Sequence, residues 1–154
     1  MKLIQLTKGQ FAQVDDDDFE ELNKYKWSAC LCINGYRAVR NIPIHGRQKT
    51  LLLHRAITNA QDGQIVDHRD GNHLNNQRSN LRFCTLSQNQ HNRKINSNNS
   101  TGYKGIYPSK KGYRAQIYLN GKQIYLGTRS TPEEAHHLYI EASTKYHGDF
   151  GRVE

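Results

Sequence analysis

Long apolar runs are missing from this chain: no stretch approaches the roughly 18 residues that a membrane-spanning helix needs. The opening text MKLIQLTKGQ also lacks the apolar core of a signal peptide. No membrane partner is expected. Cysteine is scarce, with only Cys30, Cys32 and Cys84, an odd number without a C-x-x-C pair. That spacing argues against a zinc ribbon or a disulfide framework and suits a reducing, cytoplasmic compartment. Apolar residues make up only 35% of the 154 positions. They fall in separated clusters, which predicts several small modules rather than one globule.

Acidic residues are missing where basic ones gather. The formal net charge is +8, and the window Thr101 to Ser130 holds six basic residues (Lys104, Lys110, Lys111, Arg114, Lys122 and Arg129) and no carboxylate. Such a surface favours a polyanion, because each cation placed at a phosphate releases condensed counterions.

The predicted architecture is α+β in three modules. Residues 1–48 form a small α+β module: LIQL and FAQV lead to the acidic start of a helix, and CLCINGYRAVR reads as a hairpin turning at Asn34-Gly35. Asp15 to Asp18, just before FEELNKY, suit a helix start, where carboxylates offset the dipole. A metal site is the alternative. In residues 49–95, TLLLHRAI reads as a strand or short helix and QIVDH as a strand entering a turn at Gly71. NLRFCT reads as a second strand, and LSQNQHNRKI as a helix with Ser87 available as cap. Residues 96–101 read as a polar linker. Residues 102–154 give a three-stranded antiparallel sheet on one helix, with an Asn120-Gly121 turn between the last two strands. The helix starts with Thr131, Pro132 and Glu134 and shows an apolar stripe of Ala135, Leu138, Tyr139, Ala142 and Tyr146.

Strand alternation divides that sheet into two faces. Ala115, Ile117, Leu119, Ile124 and Leu126 should meet the helix, leaving Arg114, Gln116, Tyr118, Gln123 and Tyr125 on the other side, joined by Lys104 and Tyr107. Donors and aromatic edges without a carboxylate suit DNA, with Lys110 and Lys111 touching phosphate, although a plain solvated face is the alternative.

In the middle module Asp67 and His68 are adjacent, so in an extended strand one can hold a metal while the other faces water. This module resembles the HNH family of nucleases, also called the ββα-metal fold, in its phage and intron homing-endonuclease branch. The matching text is LHR at Leu53 to Arg55, VDHRDGNHLNN at Val66 to Asn76, SNLR at Ser79 to Arg82 and SQNQHN at Ser87 to Asn92. The resemblance implies that His68 is the general base, Asp67 and Asn89 are metal ligands, and Asn80 braces the loop and orients the histidine. One hard divalent cation, Mg²⁺ or Mn²⁺, is the implied cofactor, since the set has no imidazole ligand to favour zinc. The paired cysteines that brace many HNH domains are absent, which leaves Leu53, Ile57, Val66, Leu81 and Phe83 to pack the module.

Asn72, Asn75 and Asn76 read as turn-shaping residues, His54 as a structural histidine, and Arg55, Arg69, Arg78 and Arg82 as candidate phosphate contacts. The carboxy-terminal module is similar to the plant ethylene-response-factor (Apetala-type) DNA-binding domain, through GYKGIY, YRAQIYLNGKQIYLGTRSTPEEAHHLYIEAS and YHGDFG, although its DNA-facing residues differ from the plant set. The segment before the nuclease module resembles one that often precedes such domains. Together these imply a metal-dependent endonuclease acting on double-stranded DNA in a bacterial or phage-infected cell. A monomer would nick one strand, and a dimer on DNA would cut both. A DNA-binding regulator with an inactive HNH module is the alternative, and an RNA- or structure-selective nuclease a third.

Overall fold

A computed structural model describes residues 1–33, 35–44, 46–96 and 98–153. The chain divides into two compact units, Met1–Cys84 and Thr85–Glu154.

The first unit holds three small antiparallel sheets. Strand β1 (Lys2–Gln5) pairs with β2 (Phe11–Val14), β3 (Ser28–Cys32) with β4 (Gly35–Ile44) and β4 with β5 (Arg47–Leu52), and β6 (Ile65–His68) with β7 (Leu81–Cys84). Cys32 lies opposite Gly35, whose φ is 104°; Asn34, the other half of the predicted turn, lies outside the described residues. Helix α1 (Asp16–Leu22) follows β2, and α2 (Leu53–Thr58) follows β5 without a break. TLLLHRAI is therefore strand and helix in succession. Leu51 and Leu52 pair with Arg40 and Val39 of β4, while Leu53 and Ile57, four apart, turn one helical face inward. Asn59, left-handed at φ 50°, ends the helix.

One core serves the whole unit: Ile4, Leu6, Ala12, Val14, Trp27, Ala29, Ala38, Leu53, Ile57 and Leu81 are buried together. Residues on both sides of position 48 contribute to it. Phe83, predicted to pack here, is 51% exposed instead, because it lies opposite half-buried Val66 near the open end of the β6–β7 pair. Asp15 sits at the N-cap of α1 but makes no cap bond. Its carboxylate accepts from Arg78 N at 2.7 Å and Gln77 Nε2 at 3.2 Å, and Asp18 receives the Arg78 guanidinium at 2.7 and 2.8 Å. The acidic run thus both opens a helix and clamps residues 77–78, and Arg78 has a protein partner rather than a free guanidinium.

The second unit begins with α3 (Leu86–His91). Its cap is Thr85, which forms a reciprocal capping box with Gln88, so the expected cap Ser87 falls inside the first turn. Within the expected linker, Asn99 Oδ1 accepts from Thr101 N and Gly102 N at 3.0 and 2.7 Å, tying the segment into a turn. Strands β8 (Ile106–Ser109), β9 (Gly112–Leu119) and β10 (Lys122–Arg129) form the order β10-β9-β8. Asn120 and Gly121 take φ of 52° and 75°, the paired positive angles of a tight hairpin turn. Helix α4 (Pro132–His147) starts with the predicted Thr131–Glu134 capping box.

Ile106, Ala115, Ile117, Ala135, Tyr139 and Ala142 form the core, with Ile124, Leu126 and Leu138 packed against it. The approach is close: a Cβ on Gly105 would strike the Tyr139 ring. Tyr146, predicted on the buried stripe, is 37% exposed. Fully buried Ser143 holds the end of that stripe, because the chain doubles back at Gly151 against it.

Candidate active site

The register of β6 against β7 sets the geometry. Asp67 lies opposite Arg82 and His68 opposite Leu81, so the adjacent acid and imidazole leave the strand on opposite faces, as alternation predicts. Both are buried. Arg82 Nε and Nη2 reach Asp67 Oδ2 at 2.9 and 2.8 Å. Arg82, read from sequence as a phosphate contact, is therefore a buried partner of the carboxylate. Arg55, given the same reading, donates to the carbonyls of Ala60, Gln61 and Gln64 and closes the turn after α2.

His68 is 3% exposed and lies among other rings. His54 meets it edge-on at 5.0 Å between centroids, and His73 is tilted at 5.3 Å. Burial pushes the His68 pKa below the ordinary imidazole value, and His73 adds to this; a hydrogen bond with Asn76 and the nearby Asp70 and Asp67 oppose it. His54, again chiefly through burial and then through His68 and His73, is pushed down to about 3. These imidazoles are held in the neutral form that can accept a proton.

The loop from Arg69 to Asn80 closes on itself through Asp70 and Asn80. Asp70 N donates to Asn80 Oδ1 at 3.1 Å, and Asn80 Nδ2 donates to Asp70 Oδ1 at 3.0 Å and Asn75 O at 2.7 Å. Asp70 also accepts from Asn72 N and Asn75 Nδ2 at 2.8 and 2.7 Å. Burial works against its charged form, but these donors outweigh it and leave its pKa below the usual carboxylate value. Gly71, at φ 69°, turns the chain, and its N–H donates to His68 O at 2.9 Å. The Asn80 side chain thus ties its end of the loop to Asp70 and Asn75.

The side chain hydrogen-bonded to the imidazole is a different residue, Asn76, whose Oδ1 lies 3.4 Å from His68 Nε2. Sequence reading placed Asn76 with its neighbour Asn75 as turn scaffold. The two are identical side by side, and only burial, 1% exposure for Asn76, separates them.

Asn89 lies on α3 in the second unit and is half-buried. Among the described residues, no group of three or more His, Cys, Asp or Glu forms a metal site. A carboxylate such as that of Asp67 is an oxygen donor of the kind a hard cation takes, and here Arg82 holds it.

In the second unit, cross-strand pairs put Tyr107, Arg114 and Thr128 in one row, Gln116 and Tyr125 in the next, and Tyr118 and Gln123 in a third. This is the predicted polar face. Gln123 Nε2 donates to Gln116 Oε1 at 2.8 Å, Tyr118 Oη to Gln123 Oε1 at 3.1 Å, and the Arg114 guanidinium lies over the Tyr107 ring at 5.9 Å. Gln116 is buried beneath this cover while the three tyrosines remain 42 to 60% exposed. Lys110 and Lys111 are exposed in the β8–β9 turn. Lys104 precedes β8, so strand alternation does not govern it. Its ammonium donates to the carbonyls of His91 and Arg93 at 2.6 and 2.7 Å, and burial, with Arg152 and Arg93 nearby, pulls its pKa down to about 8.

Comparison with known proteins says which family has this middle segment. Residues 53–91 match the family model described as HNH endonuclease. The chain is 34% identical over 149 residues to an HNH endonuclease of Acanthamoeba polyphaga mimivirus, covering 93% of this chain and 74% of that one. It is also 34% identical over 92 residues to Protein 3.8 of Escherichia phage T7, covering 58% of this chain and 75% of that protein. No solved structure matches. The chain belongs to the HNH endonuclease family and is a nuclease. Such enzymes generally depend on a divalent metal, and no described helix is long and apolar enough to cross a membrane.

Proposed function

We propose that the chain is a metal-dependent DNA endonuclease of the homing type, with nuclease module and DNA reader on one polypeptide. The observation that carries this reading is the buried imidazole of His68 at the end of β6, where the braced loop begins, with burial holding its pKa below the ordinary value. A neutral imidazole takes a proton from water as the oxygen attacks phosphorus and the 3′ oxygen leaves, giving 5′-phosphate and 3′-hydroxyl ends. Asp67 and Asn89 are the ligands that the HNH resemblance implies for one Mg²⁺ or Mn²⁺. Such a cation, when bound, offsets charge on the phosphate and the departing oxygen. Asn80 keeps the loop closed so that His68 holds its position.

On the second unit, Tyr107, Arg114, Gln116, Tyr118, Gln123 and Tyr125 form the face that enters the major groove, as the ethylene-response-factor resemblance implies, with Lys110 and Lys111 on phosphate. We assign Lys104 a structural role, since its ammonium is tied to backbone carbonyls. A single chain carries one His68, so a monomer nicks one strand. Incubation of supercoiled plasmid with Mg²⁺, with and without chelator, tests the reading: nicking should need the metal and vanish in His68→Ala. Tight DNA binding without nicking would favour the regulator instead.

A further inference from the structure

We propose that the cleft between the chain just past α3 and the start of β8 holds a phosphate of the DNA backbone, gripped by Arg93 and Lys94 on one wall and shaped by Lys104 on the other. That the polyanion is duplex DNA rests on the reading above, whereas the anion site itself does not.

The cleft has a volume of about 500 Å³ and lies wholly within the second unit. One wall follows α3, with the exposed side chains of Arg93 and Lys94 and, beyond them, Asn96, Asn98 and Ser100. The other runs from Lys104 to Tyr107. This second wall is fixed: Ile106 is buried in the core, Gln116 N donates to Gly105 O at 2.9 Å, and the Tyr139 ring fills the place of a Gly105 side chain. The Lys104 ammonium ties the two walls together through the carbonyls of His91 and Arg93.

Charge decides what the cleft takes. Three cations and several amide donors line it, and among the described residues its lining holds no carboxylate. Neither Arg93 nor Lys94 forms an ion pair among the described residues. The charged neighbours that lower the Lys104 pKa are Arg152 and Arg93, both cations, and its two hydrogen bonds go to neutral carbonyls. Like charges gathered in this way repel one another, and an entering anion relieves that cost.

Continuity with the sheet face points to a nucleic-acid backbone. Tyr107 lines the cleft and also shares a row with Arg114 and Thr128 on the polar face. Strand β8 is an edge strand, so DNA whose bases lie on that face runs its backbone past the β8 edge and over the cleft. A phosphate held there sets the register in which the face meets base edges. Residues 96–101, expected as a plain linker, thereby become part of a binding site.

A salt titration of full-chain binding to two duplexes, one selected from a random pool and one scrambled, tests the site, with chelator present so that nothing is cut. Arg93→Gln combined with Lys94→Gln should lower the slope of log affinity against log salt by at least about 0.9, the value for one phosphate contact, on both duplexes. Lys145→Gln, which removes an exposed cation of α4 outside the cleft lining, should leave the slope unchanged. On the selected duplex, neutral methylphosphonates placed one linkage at a time should weaken wild-type binding at a linkage to which the double variant is indifferent. Both replaced side chains are exposed, so the double variant should melt with the wild type. An unchanged slope, or one lowered equally by Lys145→Gln, overturns the inference. So does a wild type that binds neither duplex, or a double variant that loses affinity for RNA and keeps it for duplex DNA. A slope that falls as stated in a protein that never nicks plasmid in Mg²⁺ would remove the nuclease reading and keep the site. Nicking with an unchanged slope would do the reverse.

Discussion

The 65–82 hairpin and the β8–β10 sheet face are both polar, but their side chains are held in opposite ways. In the hairpin Asp67, His68, Asn76, Asn80 and Arg82 are all buried, and Asn76 and Asn80 are hydrogen-bonded to loop backbone as well as to a side chain. On the sheet most polar side chains are exposed, and the hydrogen bonds among Gln116, Gln123 and Tyr118 run from side chain to side chain. Burial fixes orientation and raises the cost of any lost partner; exposure leaves rotamers free to adapt to a target. Under the proposed function chemistry falls to the first and recognition to the second, and variants in each should then fail differently.

The largest expected effect is on the hairpin. His68→Ala should cut the nicking rate about 10²- to 10⁴-fold, the usual contribution of a positioned base, while gel-shift affinity for DNA stays near wild type. Equal losses in rate and affinity would erase the contrast between the two surfaces.

Buried imidazoles also make the first unit sensitive to acid. The His54 pKa is about 3 in the folded chain, against an ordinary value near 6.5 once unfolded. The unfolded state then binds the extra proton between these values. The stabilising contribution is complete above about pH 6.5 and is lost as pH falls toward 3, by up to ~1.4 kcal/mol per pH unit. Melting temperature should fall from pH 7 to pH 4, and His54→Gln should flatten that slope. An unchanged slope would place the sensitivity elsewhere.

Asn80→Ala comes next. It removes the acceptor of Asp70 N, one donor to the Asp70 carboxylate and the donor to Asn75 O, at a cost on the order of 1–3 kcal/mol, readable as a lower midpoint in urea. Gln123→Ala, which removes the hydrogen bonds to Gln116 and Tyr118, should cost under ~0.5 kcal/mol because solvent replaces them. Similar values for the two would mean that burial is not what separates the surfaces.

These elements also show what a sequence reveals. Local chemistry was readable: the Thr131 capping box, the Asn120-Gly121 turn, the alternating face of β9 and β10, and Asp67 and His68 on opposite sides of a strand. Features set by the partner across space were not. Arg82 pairs with Asp67 only because the register brings them opposite each other. Asn76 differs from Asn75 only through the way β2 and the loop turn it inward. Lys104 fell outside the alternation because β8 starts at Ile106, and Thr85 outcompeted Ser87 through the reach of Gln88.

The smallest effect isolates phosphate contacts from base reading on the sheet side. Lys110→Ala should reduce the slope of log affinity against log salt by about 0.9, the value for one lost phosphate contact, equally on all sequences. Arg114→Ala, from the exposed face itself, should instead cost ~1–3 kcal/mol on the preferred site and little on random DNA. The test is a salt titration of binding to two duplexes, one selected and one scrambled. If both variants shift the slope alike and neither alters discrimination, the sheet is an electrostatic anchor. Sequence preference must then come from the first unit, and the division between a rigid cutter and an adaptable reader fails on the reader's side.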